Sequence, residues 1–130
     1  MKRYVCAAFL ALAGCCAVFA QRTAQITFDT LTVNMGVFGA DDAVRHGKFV
    51  FTNTGTAPLV IQNVMASCGC TTPSYPRVAI QPGEKGAIEV TYDGEGRFPG
   101  PFKKTVNVQS NDPRGITRLF IVGEMLETKK

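Results

Sequence analysis

The stretch GAIEVTY at residues 86–92 alternates between apolar and polar side chains along most of its length. Ile88, Val90 and Tyr92 would share one face of an extended strand, because successive side chains of a strand point to opposite faces. The segment at residues 102–110 alternates in a similar way. This period predicts two strands that each turn one face to a core and the other to solvent.

Turn-forming residues separate segments of strand length along the chain. Gly, Pro, Asn and Asp gather in four clusters, NTGTAP (53–58), PGEKG (82–86), DGEGRFPG (93–100) and NDPRG (111–115). The other strand-length segments are KFVFTN (48–53), PLVIQNV (58–64), RLFIVGE (118–124) and ITFDTLTVNMGVF (26–38). About seven strands in roughly 100 residues, without a helical period, predict an all-β fold that is a single immunoglobulin-like β-sandwich.

The predicted sandwich depends on its inner apolar faces. The chain contains no tryptophan, so the core tryptophan of antibody domains is missing. The alternation and the apolar segments assign these residues to the core: Phe49, Phe51, Leu59, Ile61, Ile88, Val90, Val106, Val108, Phe120 and Val122.

The N-terminus has the parts of a signal peptide. Lys2 and Arg3 form a short positive region, and an apolar run follows at residues 5–13. Small residues stand at the two positions that a signal peptidase recognises, which predicts cleavage before Gln21. The apolar run is shorter than the roughly 20 residues that a membrane-spanning helix needs. The chain is therefore predicted to be exported, to the periplasm or the outside of the cell.

A second way of processing the N-terminus stays open. LAGC at residues 12–15 resembles the lipobox of bacterial lipoproteins, in which the cysteine is acylated, and Cys15 would then anchor the protein in a membrane. The residues after Cys15 are apolar rather than a polar tether, which favours simple secretion. The predicted organisation is a cleaved signal peptide (1–20), an N-terminal lead (21–25), the sandwich domain (26–124) and a C-terminal tail (125–130).

Removal of residues 1–20 changes both the cysteine count and the charge. Five cysteines fall to two, Cys68 and Cys70, and an even pair in an oxidising compartment indicates a potential disulfide. The 14 basic residues lose Lys2 and Arg3 and become 12, against 10 acidic ones, so the net charge is +2. That charge is too small to indicate nucleic acid as a partner.

Several motifs together resemble a known family. They are the N-x-G turn before PLVI (residues 53–61), SCGCTTP (67–73), PGEKG before an alternating strand (82–86) and SND (110–112). In this combination they resemble the bacterial exported family called domain of unknown function 1573. The resemblance covers nearly all of residues 26–124 and implies an immunoglobulin-like sandwich of the Hydin-related type and an export route. It implies no settled biochemical activity.

The cysteine pair leaves three interpretations open. As a disulfide, Cys68 and Cys70 need a local bend, which Gly69 permits because it lacks a Cβ. As a redox enzyme, the pair lacks a helix N-terminus or a neighbouring base that would activate a thiol. As a metal site, the two thiolates would need further ligands, and His46, Met35 and Met65 are the candidates, although no spacing places them together.

The remaining motifs favour binding over catalysis. No carboxylate pair, Ser-His-Asp order or phosphate-binding glycine loop is present, so the sequence predicts no catalytic residue, cofactor or metal. Tyr75, Phe98 and Lys103 are candidates for a loop that faces a partner. We predict an exported, non-enzymatic module that binds a protein or glycan in the bacterial cell envelope. The alternative is a redox- or metal-responsive envelope protein that uses Cys68 and Cys70.

Overall fold

A computed structural model describes residues 22–127 and confirms the all-β sandwich. One short 3-10 turn (Ala40–Asp42) accompanies the strands, and no helix within these residues is long and apolar enough to cross a membrane. The predicted signal peptide and Cys15 lie outside the described residues. The strands are β1 (Ile26–Phe28), β2 (Thr32–Gly39), β3 (Val44–Asn53), β4 (Ile61–Ala66), β5 (Thr71–Ser74), β6 (Lys85–Asp93), β7 (Gly100–Ser110) and β8 (Thr117–Leu126).

The eight strands form two sheets of four. Sheet A has the order β1-β3-β6-β5, and sheet B has the order β2-β8-β7-β4. Neighbouring strands are antiparallel except β2 and β8, which are parallel. The turn at residues 67–70 joins β4 to β5, so these two edge strands lie on one side of the sandwich. The strands β1 and β2 are the edges on the other side.

The core lies between the inner faces of the two sheets. Burying a large apolar side chain stabilises the folded state by roughly 1.5–3 kcal/mol, so these faces hold the sheets together. The sequence prediction is confirmed for eight buried residues: Phe49, Phe51, Leu59, Ile61, Ile88, Val90, Val106 and Val108.

The prediction for β8 is wrong by one residue. Leu119 and Ile121 are fully buried, whereas Phe120 and Val122 are half-buried on the outer face of sheet B. The segment RLFIVGE is apolar on both faces, so alternation alone could not decide which face turns inward. Pairing with β7 decides it, because Leu119 lies opposite the buried Val106, and directly paired residues share one face.

The core extends slightly beyond the predicted limits of the domain. Ala24, in the N-terminal lead, and Met125, in the segment assigned to the tail, are each 2% exposed. Strand β8 continues to Leu126. Packing therefore begins before residue 26 and ends after residue 124.

Asn53 in the N-x-G turn is a buried polar residue with its hydrogen bonds satisfied. Its side-chain amide donates to the carbonyl oxygens of Ala57 (2.8 Å) and Ile80 (2.9 Å). Its Oδ1 accepts from the N–H groups of Gly55 (2.9 Å) and Gln25 (3.3 Å). Because a buried polar group is costly unless it is paired, this asparagine has a structural role and joins three segments of the chain.

Asp112 in the SND motif is likewise structural. Its Oδ2 accepts hydrogen bonds from the N–H of Ile26 at 2.9 Å and from Arg114 Nη2 at 2.7 Å. Arg114 also donates to the carbonyl oxygen of Ile26 at 2.7 Å. The Arg114 guanidinium beside this buried carboxyl lowers the pKa of Asp112 from 3.8 to about 2. The ion pair thus fastens β1 to the connection between β7 and β8.

Candidate functional site

The turn between β4 and β5 carries Cys68 and Cys70. Their Sγ atoms lie 2.05 Å apart and their Cα atoms 5.1 Å apart, which is compatible with a disulfide. Within the turn, the N–H of Thr71 donates to the carbonyl oxygen of Cys68 at 3.1 Å. The N–H of Cys70 donates to Cys68 Sγ, also at 3.1 Å. These two hydrogen bonds stabilise the turn in which the two sulfur atoms meet.

The two cysteines differ in their surroundings. Cys68 is half-buried, whereas Cys70 is 5% exposed and belongs to the core. The N–H of Asp93 donates to the carbonyl oxygen of Cys70 at 2.8 Å, which binds this end of the turn to β6. The expectation of a partly accessible pair therefore applies to Cys68 and is wrong for Cys70.

Gly69 lies in the turn, but the turn does not require a glycine there. Its φ is outside the left-handed region that other glycines of the chain occupy, for example Gly83 at 86°. A Cβ added at Gly69 would meet no atom within 4 Å. Gly69 therefore lies in the bend, as expected, but nothing within the chain requires a residue without Cβ there.

Strand β4 is an edge of sheet B, and part of its main chain faces away from the sheet. The N–H of Ser67 donates to the carbonyl oxygen of Thr105 on β7 at 2.9 Å. The direction of the main-chain N–H and C=O groups alternates along an antiparallel strand. Those of Met65 therefore point to β7, as those of Ser67 do. The N–H and C=O groups of Val64 and Ala66 point to the open side.

Strand β7 continues past the end of β4. Residues 100–104 pair with β8, and in the described part of the chain no strand pairs with their other side. The N–H of Thr105 points towards Ser67, whose Oγ accepts it at 3.1 Å. By the same alternation, the N–H of Lys103 points to the unpaired side. We call β4 together with residues 100–104 the open edge. The Cys-Gly-Cys turn lies at the step between these two parts, where β4 ends and the side of β7 that it had covered becomes open.

The other edge strands carry features that hinder pairing. Strand β1 has three residues, and β2 has a register shift between Asn34 and Val37 with Gly36 at a φ of 87°. Strand β5 has four residues, and its Pro73 has no N–H to offer a further strand. Shortness, bulges, prolines and charged residues are the usual protections of sheet edges. Strand β4 contains neither charge nor proline, although it has a register shift between Ile61 and Asn63.

The three candidates for a partner-facing loop lie on three different elements. Tyr75 follows β5 and is half-buried, with the Arg77 guanidinium 4.5 Å from its ring centre. Phe98 is 96% exposed in the connection between β6 and β7. Lys103 lies within β7, not in a loop, and its Nζ is 4.5 Å from the ring centre of Phe120. Residues 100–104 belong to β7, so Lys103 lies in a strand and not in the loop expected at residues 96–104.

The candidates for additional metal ligands are also dispersed. His46 lies on β3 of sheet A, where its Nδ1 is 3.0 Å from Thr91 Oγ1. Met35 is buried on β2, and Met65 is exposed on β4. Within residues 22–127, no three side chains of His, Cys, Asp or Glu form a group that could hold a metal ion. The two sulfur atoms therefore have no further ligand set around them in the described chain.

Among residues 22–127, these features define a small β-sandwich domain in which the edge strand β4 has no charge or proline, and main-chain pairing on its open side is found only just before the strand, between Leu59 and Ile80. The chain belongs to the family described as a protein of unknown function (DUF1573), whose model matches residues 26–125. A comparison with curated proteins finds no match.

Solved structures with the same fold come from different kinds of protein. A protein of unknown function from Porphyromonas gingivalis is 21% identical, with a TM-score of 0.68 over 83% of this chain, which spans half of that protein. The PapD-like domain 7 of human CEP192 is 8% identical, with a TM-score of 0.66 over 85% of this chain and 91% of that domain. The periplasmic chaperone SfaE is 10% identical, with a TM-score of 0.56 over 81% and 59% of the two chains. At these identities the likeness shows the fold alone.

Proposed function

We propose that the chain is a non-enzymatic binding module, exported to the bacterial cell envelope, that holds an extended segment of a partner protein along the open edge. An extended segment that pairs with a sheet edge gains main-chain hydrogen bonds, and side-chain contacts then select its sequence. This mode needs no catalytic group, cofactor or metal.

The observation that carries the proposal is that β4 is an edge strand whose main chain has free groups beyond the pairing of Leu59 with Ile80. Val64 and Ala66 direct their main-chain groups to the open side, and no proline or charged side chain of β4 obstructs a further strand. Exposed apolar residues beside this edge, Met65 (61%) and Val60 (40%), can contact the side chains of a partner. A partner strand would satisfy the main-chain groups and cover these apolar surfaces together.

Three features support an envelope location. The predicted signal peptide would export the chain, and a disulfide between Cys68 and Cys70 persists in an oxidising compartment. The fold is shared with SfaE, which is described as a periplasmic chaperone. The chemistry of the open edge favours a protein over a glycan, because its unpaired groups are spaced like those of a strand.

A redox-responsive function is the second candidate, and the geometry disfavours it. A thiolate that attacks the accessible Cys68 Sγ would form a mixed disulfide there and release Cys70 as a thiolate. Cys70 is buried, and placing an unpaired charge in a buried site is costly. The pair is therefore expected to remain oxidised and to fix the turn rather than to exchange.

The variant Ala66→Pro tests the proposed binding mode. It removes an N–H that faces the open side, so the hydrogen bonds between β4 and β7 remain. With a photoreactive side chain at Met65 in cells that make the protein, we expect cross-linking to a partner by the otherwise unchanged chain and by Ala66→Ser, which keeps the N–H. Ala66→Pro should lose it at an unchanged melting temperature. Equal cross-linking by all three chains would contradict strand addition.

A further inference from the structure

We infer that the segment bound along the open edge is acidic and that its main chain passes close over Gly69. This inference rests on the proposed strand addition and specifies its partner. Two independent observations carry it: the charge distribution around the open edge and the lack of a structural reason for Gly69.

The strands of the open edge carry positive charges and no negative ones, and Asp93, whose N–H donates to the carbonyl oxygen of Cys70, is an acidic residue at the turn. No Asp or Glu occurs at residues 57–83 or 96–111, which include β4, the Cys-Gly-Cys turn and all of β7. Lys103 and Lys104 lie in the part of β7 that pairs with β8 only, and Arg118 adds a positive charge on β8. Glu124, opposite Pro101, is the one acidic residue in the strands of sheet B. A partner with carboxylate side chains complements this edge.

The lysines lie where a paired segment would end. A strand that pairs with β4 beyond Ala66 continues past the turn and reaches residues 100–104. There the N–H of Lys103, which points away from β8, can bind its main chain. Lys103 and Lys104 project to opposite faces of the sheet, so each can meet side chains on one face of the segment, and the Lys103 ammonium would leave the Phe120 ring, whose centre is 4.5 Å away. Eight residues of extended chain span about 27 Å, so one such segment can contact both β4 and residues 100–104.

Gly69 lies in the turn that such a segment must pass between β4 and residues 100–104. The residue is exposed, its φ is available to any amino acid, and a Cβ would meet nothing within the chain. Glycine lowers stability by loss of more conformational entropy than other residues, so the fold itself gives no benefit for it here. Close approach of another main chain is one of the uses of glycine, and it accounts for this one.

Fluorescence anisotropy with three labelled peptides tests the inference on the mature protein. The peptides have eight residues, with valine alternating with aspartate, threonine or lysine. At about 50 mM salt we expect the aspartate peptide to bind about tenfold more tightly than the threonine peptide, and the difference to shrink at about 500 mM because salt screens exposed charges. The lysine peptide should bind least tightly.

Matched variants locate the effect. Lys103→Gln with Lys104→Gln should weaken binding of the aspartate peptide about tenfold and leave the threonine peptide within about twofold. Lys48→Gln with Lys85→Gln, which removes the same charge from sheet A, should change neither. Gly69→Val should weaken binding of all the peptides that bind, at an unchanged melting temperature.

The outcomes separate this inference from the proposed function. Binding that is lost in Ala66→Pro but does not depend on peptide charge or on Gly69 would overturn the acidic partner and keep strand addition. No binding of any peptide would overturn both. Tighter binding of the aspartate peptide that Ala66→Pro leaves unchanged would show an electrostatic contact elsewhere and would also overturn the inference.

Discussion

The N–H of Ser67 donates to the carbonyl oxygen of Thr105 at 2.9 Å, and β4 leaves β7 at this point. The chain then turns through Cys68 and Cys70 to β5 in the other sheet, while β7 continues without a partner on that side. One turn therefore ends the β4–β7 ladder, contains the cysteine pair and leaves the N–H of Lys103 without a partner on the β4 side.

The cysteine pair is expected to be oxidised in the exported protein and to stabilise it only slightly. Closing so short a loop restricts the unfolded chain little, so Cys68→Ser with Cys70→Ser should lower the free energy of unfolding by less than about 2 kcal/mol. Thiol counting on non-reduced protein and thermal melts measure the two parts. Two free thiols in protein purified from the envelope would contradict the disulfide, and failure of the serine variant to fold would show a larger structural role.

Two glycines provide a matched comparison of side-chain space. Gly69→Ala should change the free energy of unfolding by less than about 0.5 kcal/mol, as for an ordinary surface position. At Gly86 an added Cβ would lie 2.6 Å from Cζ of the buried Phe51 ring, so Gly86→Ala should cost about 1–3 kcal/mol by overpacking. Urea denaturation of both variants measures the two changes in the free energy of unfolding. A large loss in Gly69→Ala would mean that the turn itself needs the glycine.

Acid should lower the free energy of unfolding because it protonates Asp112. The hydrogen bond from the Arg114 side chain lowers the pKa of this carboxyl from 3.8 to about 2, so its stabilising effect is complete above about pH 4 and is lost as the pH falls towards 2. The loss is on the order of 2 kcal/mol. Asp112→Asn should be less stable at neutral pH and lack this part of the pH dependence. Parallel stability curves for the two proteins between pH 5 and 2 would contradict the assignment.

Substitutions at adjacent residues of β8 test which face of the strand points to the core. Leu119→Ala removes a fully buried side chain and should cost about 2–5 kcal/mol. Phe120 is half-buried on the outer face, so Phe120→Ala should cost clearly less, under about 2 kcal/mol by the area it removes. Chemical denaturation measures both. The reverse order would restore the assignment made from the sequence.

Local pattern in the sequence was sufficient for most of the fold and for part of the site. Ile88 and Val90 alternate with polar neighbours, so their strand could be oriented without knowledge of its partners. Phe120 and Val122 could not be placed, because both faces of β8 are apolar and only pairing with β7 distinguishes them. No local pattern in the sequence indicates that β2 pairs with β8 in parallel.

The cysteine turn was found from sequence, but its surroundings depend on contacts between distant segments. Cys70 is buried at a point where the turn meets β6: the N–H of Asp93, more than twenty residues later, donates to its carbonyl oxygen. Sequence reasoning favoured strand addition at a sheet edge but could not identify β4 as that edge. A strand-length segment without charge or proline was the available signal, but which strands become edges is decided by the order of the whole sheet.

Amide hydrogen exchange measured by NMR, with and without the aspartate peptide, tests the central claim most directly. In the free protein the amides of Val64, Ala66 and Lys103 should exchange rapidly, while that of Met65, which faces β7, should be protected as an internal control. Saturating peptide should slow the first three and leave Met65 unchanged. Protection of Val64 and Ala66 in the free protein, or no change in their exchange when the peptide is bound, would contradict an open edge that accepts a strand.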